Sequence, residues 1–281
     1  MRGRVCVVTG ATSGVGKAAA IALARRGATL VLVGRDPARA AAALTDVRAA
    51  SPSGAGELFP ADLSSQRSIR ELANEIRTRY PALHVLVNNA GGMWHQREVT
   101  TDGLERTFAT NHLAYFLLTN LLLDQLRAGA PARIVNVSSD AHFGAILDFD
   151  DLQGDRGYDW WLAYKRSKLA NILFTAELAD RLAGSGVTAN ALHPGVVNTG
   201  IARQGSRLFR LGFRIAASFM LTPARGAETI VYLASSPEVE GVSGAYFQKC
   251  RPKEPSAPAR DPHARHRLWV VSAALTGLAG Q

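Results

Sequence analysis

A short apolar strand, Val5 to Val8, runs into the glycine-rich turn TGATSGVG (Thr9 to Gly16). KAAAIALARRG follows directly, its alanines and leucine recurring at helical spacing up to a stop at Gly27. Strand, tight turn and helix in that order begin a parallel sheet, because a parallel neighbour can be reached only by a crossover. The pattern then repeats: TLVLV (Thr29 to Val33), an alanine-rich helix from Pro37 to Ala50, ELFPADL, a helix from Gln66 to Tyr80, and HVLVNNAG. Further strands are expected at RIVNVSS (Arg133 to Ser139), VTANALHPG (Val187 to Gly195) and SGAYF (Ser243 to Phe247). The expected fold class is α/β, a Rossmann-type doubly wound sheet of about seven parallel strands with helices on both faces.

In such a sheet the ligand binds at the carboxyl ends of the strands, where the first turn lets a pyrophosphate approach the backbone at a helix N-terminus. Gly10, Gly14 and Gly16, with Thr12, Ser13 and Val15 between them, are the candidate contacts. Their G-x-x-x-G-x-G spacing departs from the generic G-x-G-x-x-G, so the strand before and the helix after carry the reading. The end of the second strand sets the choice of nucleotide. Gly34 removes the carboxylate that would repel a 2′-phosphate, and Arg35 offers it charge-assisted hydrogen bonds, which favours NADP(H) over NAD(H). Asp36 comes one position late and can equally cap the helix that begins at Pro37. Lys17 can face the phosphates or simply solvent.

Tyr164 and Lys168 stand one helical turn apart, on one face of a helix. An ammonium there can stabilise a phenolate and lower the tyrosine's pKa, turning a poor acid/base into a usable one. A carbonyl being reduced needs that proton on its oxygen.

The chain carries 32 Lys and Arg against 23 Asp and Glu, a net charge of +9, but the basic residues are scattered and no basic run is interleaved with aromatics. A solvated basic surface and a phosphate-bearing cofactor account for the charge, and no nucleic-acid partner is expected. Cys6 and Cys250 lie far apart, which argues against a disulfide scaffold and for a reducing compartment. His263 and His266 sit in an arginine-rich segment and read as solvated; no metal is expected. The longest apolar run, Leu113 to Leu123, falls short of the ~20 residues a bilayer requires. A cytoplasmic protein without a stable membrane anchor is expected.

With NNAG (Asn88 to Gly91), NVSS (Asn136 to Ser139) and the Tyr164–Lys168 pair, the chain resembles the short-chain dehydrogenase/reductase superfamily over nearly its whole length. NHLAYFLLTNLLL (Asn111 to Leu123), AYKRSKLANILFTAEL (Ala163 to Leu178), ALHPGVVNT (Ala191 to Thr199) and the tail with SGAYFQKC and RLWVVSAAL resemble its retinol-dehydrogenase-like branch. The resemblance implies a catalytic set of Asn111, Ser139, Tyr164 and Lys168. Tyr164 would exchange the proton, Ser139 would hydrogen-bond the substrate oxygen, Lys168 would also contact the nicotinamide ribose, and Asn111 would hold a water leading to Lys168. It further implies adenine contacts from Asp62 and Leu63, a wall of Asn89, Ala90 and Gly91, and nicotinamide contacts from Pro194, Gly195, Val197 and Thr199.

The implied activity is interconversion of an alcohol and a carbonyl on a bulky, largely apolar small molecule, by a homo-oligomeric enzyme. Non-redox chemistry at the same site (dehydration, epimerisation or cyclisation) and a binding protein with a vestigial site are the competing readings. Phe143, Tyr158, Trp160 and Trp161 either line the pocket or pack their own loop. Residues 198–223 are the expected substrate lid, amphipathic through Leu208, Leu211, Ile215 and Phe219. The core domain is expected over 1–250. An extended linker, Pro252 to Pro262, would lead to a terminal helix from His263 to Leu278 that packs on the domain through Leu268, Val271, Leu275 and Leu278.

Overall fold

The computed structural model describes residues 1–197 and 221–278. The strands β1 (Val5–Thr9), β2 (Thr29–Gly34), β3 (Gly56–Pro60), β4 (Val85–Asn88), β5 (Ala132–Val137), β6 (Val187–His193), β7 (Tyr246–Gln248) and β8 (Arg251–Pro252) form one sheet. Their order is β3-β2-β1-β4-β5-β6-β7-β8. Seven run parallel, as expected, and the sheet gains an eighth, β8, that turns back antiparallel on β7. The strand order reverses between β1 and β4, which opens the crevice at the carboxyl ends of those strands.

Alternation along each strand sends side chains to opposite faces. Val7, Val31, Val33, Leu86 and Ile134 face one layer with α3 (Gln66–Arg79), α5 (Ala114–Leu121) and α7 (Trp160–Arg181). Cys6, Val8, Leu30, Leu32, Val87 and Leu192 face the other, with α1 (Gly14–Arg25), α2 (Pro37–Ala50) and α8 (Pro223–Ser235). Burial pushes the Cys6 thiol up to about 12, so it acts as a core side chain. Both faces being covered explains the near-continuous apolar runs of β1 and β2.

Between β4 and α5 the chain makes a short turn, α4 (Arg106–Phe108), and a π turn over Ala109–Leu113; α6 (Leu123–Ala128) then leads to β5. The last helix, α9 (Pro262–Leu275), begins one residue before the expected His263 and is capped by Asp261. The segment expected as an extended linker is instead partly folded: Arg251–Pro252 form β8 and Ala257–Arg260 a 3-10 turn, with Ser256 and Ala259 buried.

Candidate active site

The first turn builds a cradle. Gly10 has φ +65, and a Cβ on Gly16 would lie 2.3 Å from Asn89 Nδ2 and 2.5 Å from the Gly10 carbonyl. Asn89 holds the loop from the next strand, donating to the Thr9 carbonyl at 2.8 Å, while its own N–H donates to Thr9 Oγ1 at 2.8 Å. Side chains cap α2, α3, α7, α8 and α9 through Asp36, Ser65, Asp159, Thr222 and Asp261. Ser13, at the N-cap of α1, makes no such bond. The free N–H groups of that first turn, in a cradle only glycines leave open, fit a pyrophosphate.

Beyond the cradle, Arg35 is exposed, its guanidinium 4.0 Å from Asp62 Oδ2. Burial raises the Asp62 pKa, but hydrogen bonds from Ser64 and the charge of Arg35 outweigh it and hold the carboxyl below its ordinary value. Leu63 is buried beside it. Asp36 caps α2 by accepting from the Arg39 N–H, and Lys17 pairs with Asp46 on α2. Gly34 has a second reason to be glycine: a Cβ there would lie 2.1 Å from Thr12 Cγ2. On the far side Gly195 turns with φ +88, a Cβ there would meet Leu221 at 2.4 Å, and Val197 bridges Leu221. Pro194 leads into that turn; Thr199 and residues 198–220 of the expected lid lie outside the described residues.

Ser139, Tyr164 and Lys168 converge at the carboxyl end of β5. The Ser139 hydroxyl lies beside the Tyr164 phenol, whereas Ser138 is buried and donates to the Lys168 carbonyl at 2.7 Å. Lys168 Nζ donates to the Val137 carbonyl at 3.1 Å and lies 5.6 Å from the centroid of the Tyr164 ring. Burial pulls the Lys168 pKa down to about 8. For Tyr164, burial pushes the pKa above its ordinary value and the neighbouring Ser139 hydroxyl pulls it back in part. Desolvation of the phenolate outweighs the Ser139 hydroxyl and sets the direction upward, and the expected lowering by Lys168 does not enter it.

Asn111, in the π turn, has a fully engaged side chain. Oδ1 accepts from the Gly92 N–H at 2.8 Å, and Nδ2 donates to the Gly92 carbonyl and to Ser167 Oγ. A Cβ on Gly91 would lie 2.9 Å from Asn111 Oδ1 and 3.7 Å from Lys168 Nζ, so Asn89, Ala90 and Gly91 run between cradle and α7.

Of the four aromatics, Trp161 stacks on Tyr164 (centroids 5.7 Å apart, 18° between planes) and is exposed, as is Phe143. Trp160 packs against Trp161 and His95. Tyr158 serves its loop, its hydroxyl donating to the Trp94 carbonyl at 2.9 Å and sitting 3.2 Å from buried Glu105. Residues that sequence reasoning missed also crowd the site: Asp140, His142 and His193 beside Ser139, and Tyr246, Gln248 and Lys253 from the C-terminal end of the chain.

Residues 4–207 match the short chain dehydrogenase family. The chain belongs to the short-chain dehydrogenases/reductases. It is retinol-dehydrogenase-like: it is 44% identical to human retinol dehydrogenase 14 over 297 residues, covering 99% of this chain and 88% of that protein. It is likewise 44% identical to mouse retinol dehydrogenase 12, covering 98% of this chain and 87% of that one. An uncharacterised protein from Mycobacterium paratuberculosis superimposes with a TM-score of 0.81 at 35% identity, over 98% of this chain and 94% of its own. The RhlG/NADP active-site complex of Pseudomonas aeruginosa superimposes with a TM-score of 0.72 at 26% identity, over 88% and 94%. The enzyme is therefore an oxidoreductase that uses an NAD(P)(H) nucleotide and interconverts alcohols and carbonyls on a small molecule. No helix among the described residues is long and apolar enough to cross a membrane.

Proposed function

We propose that this short-chain dehydrogenase/reductase uses NADP(H) to interconvert a bulky, largely apolar alcohol and its carbonyl, with Tyr164 as proton donor. The observation that carries the reading is the convergence of Ser139, Tyr164 and Lys168 beside the exposed ring of Trp161. A phenol whose pKa is raised by burial keeps its proton at neutral pH, the state a reduction needs. The Ser139 hydroxyl lies beside that phenol, so a substrate oxygen placed between them would meet two hydroxyls. Lys168, pulled down by burial to about 8, still favours its ammonium form at pH 7, and that charge supports the phenolate left behind. The glycine cradle, the uncapped end of α1 and Arg35 are the groups that would hold the nucleotide; when bound, its nicotinamide supplies or accepts the hydride. Trp161 and Phe143 give the substrate an apolar face. Relatives named retinol dehydrogenase bring a long apolar alcohol into the substrate class, which makes retinaldehyde the first probe.

Tyr164→Phe should abolish NADPH oxidation with retinaldehyde or another apolar aldehyde while leaving nucleotide affinity nearly unchanged, because the phenol acts in the transition state. A variant that keeps a substantial fraction of the wild-type rate overturns the mechanism. Arg35→Ala is the test of cofactor choice, since Gly34→Asp would also collide with Thr12. Losing a charge-assisted contact of ~1.5 to 3 kcal/mol should weaken NADPH binding roughly tenfold or more and leave NADH binding unchanged in calorimetric titration. Equal effects on both nucleotides would refute the assignment.

A further inference from the structure

Ser139 can meet a substrate oxygen only if its hydroxyl is aimed, and the aim is set by the turn that follows it. Ser139 is the N-cap of the 3-10 turn Asp140–His142: its Oγ accepts from the Ala141 N–H at 3.1 Å, which leaves its proton free to point away from the turn. That turn is held from outside. The Ser139 carbonyl accepts from His142 Nδ1 at 2.7 Å, and His142 Nε2 accepts from the Ser256 N–H at 3.1 Å, so the imidazole is neutral and fixed in one tautomer. The Asp140 N–H donates to His193 Nδ1 at 3.2 Å.

The Asp140 carboxylate gathers three donors. Oδ1 accepts from Tyr246 Oη at 2.9 Å and Lys253 Nζ at 2.8 Å; Oδ2 accepts from Gln248 Nε2 at 2.6 Å. All three arrive from the β7–β8 hairpin and the residue after it. Its turn places Lys249 at φ +51 and Cys250 at φ +58, a left-handed pair that L-residues seldom adopt. The Lys253 N–H closes the hairpin on the Tyr246 carbonyl at 2.8 Å. A strained hairpin whose three long side chains end on one half-buried carboxylate next to the reacting serine is more than edge packing requires.

We propose that Asp140 is a positioning residue, which fixes the turn that aims the Ser139 hydroxyl, and that the C-terminal hairpin is built to hold it. The inference rests on the reading of Ser139 and Tyr164 as the groups that meet the substrate oxygen. It predicts that Asp140 acts on turnover through Ser139 and not on nucleotide binding.

The test is a double-mutant cycle of Asp140→Asn and Ser139→Ala in the full-length enzyme, read as single-turnover oxidation of prebound NADPH by retinaldehyde. Alone, Asp140→Asn should slow turnover roughly tenfold while its NADPH dissociation constant stays within about twofold of wild type. On the Ser139→Ala background the same change should slow turnover by less than about twofold, because the group it positions is gone. Equal slowing on both backgrounds, or an Asp140→Asn rate within about twofold of wild type, overturns the proposal. Should Asp140→Asn fail to fold, as judged by circular dichroism, Gln248→Ala and Lys253→Met each remove one donor and enter the same cycle, with roughly threefold slowing expected that vanishes without Ser139. An active Tyr164→Phe enzyme would instead overturn the parent reading, independently of the cycle.

Discussion

Trp269 packs α9 (Pro262–Leu275) against α5 and α7. The indole meets Phe116 edge-on at 4.9 Å, stacks with Phe174 at 5.9 Å, and carries the Arg181 guanidinium 4.1 Å above it. Two aromatic pairs at ~0.5 to 1.5 kcal/mol each and a cation–π contact of ~0.5 to 1 kcal/mol sum to about 3 kcal/mol. Truncation of a fully buried Trp costs ~3 to 5 kcal/mol, and Trp269 has the larger part of its surface buried, which scales the cost to about 2 to 3 kcal/mol. For a chain of this length about 2 °C is lost per kcal/mol, so Trp269→Ala should lower the Tm by about 4 to 6 °C in scanning calorimetry. Val270→Ala, at an exposed neighbouring position, is the control and should cost less than about 1 °C. If Trp269→Ala melts no earlier than Val270→Ala, the helix is not held by this face.

Two further outcomes follow from the same geometry. Gly16→Ala drives a methyl into Asn89 and the Gly10 carbonyl; overpacking of ~1 to 3 kcal/mol in the cradle should weaken NADPH binding roughly tenfold, and an unchanged dissociation constant in calorimetric titration would refute the cradle. His112 is held down to about 4 by burial, against an ordinary 6.5, so between those values the unfolded chain binds the extra proton and stability falls as pH falls. The loss over that window is about 3 kcal/mol, and thermal melts of His112→Gln should show a flatter acid limb; an identical limb would assign the acid sensitivity to other groups.

Legibility in the sequence followed the range of the contacts involved. The parallel strands, the glycine turn and the Asp36 cap are written in local periods and turn residues: β1, β2, β5 and β6 fall within two residues of the expected bounds, and β3, β4 and β7 within three. β8 is two residues long and carries no period, and its turn uses Lys249 and Cys250 where a hairpin signal would be Asn or Gly. The partners of Asp140 lie 106, 108 and 113 residues downstream, a separation at which no local pattern speaks. Pro252 to Pro262 reads as a linker from composition, yet Ser256 is buried with its N–H donating to His142 Nε2, and Ala259 is buried in the apolar cluster of Tyr246 and Leu268. At Gly34 the sequence offered one reason for a glycine, the 2′-phosphate, and the structure supplies another in Thr12.

Those distant contacts share a source. The Ser272 hydroxyl meets His112 Nε2 at 2.9 Å, His112 Nδ1 reaches Asn171 Oδ1, and Asn171 Nδ2 donates to the Asn111 carbonyl at 2.9 Å. Asn111 is thereby tied to α9, as Ser139 is tied through Asp140 and His142 to residues 246–256. Tyr164 and Lys168 need no such help, being held by one helix turn on α7. The two candidate site residues at turns, Asn111 in a π turn and Ser139 at the cap of a 3-10 turn, are the two buttressed by residues 246–275. A turn leaves its side chains less constrained than a helix does, so long-range hydrogen bonds supply the rigidity that local structure cannot.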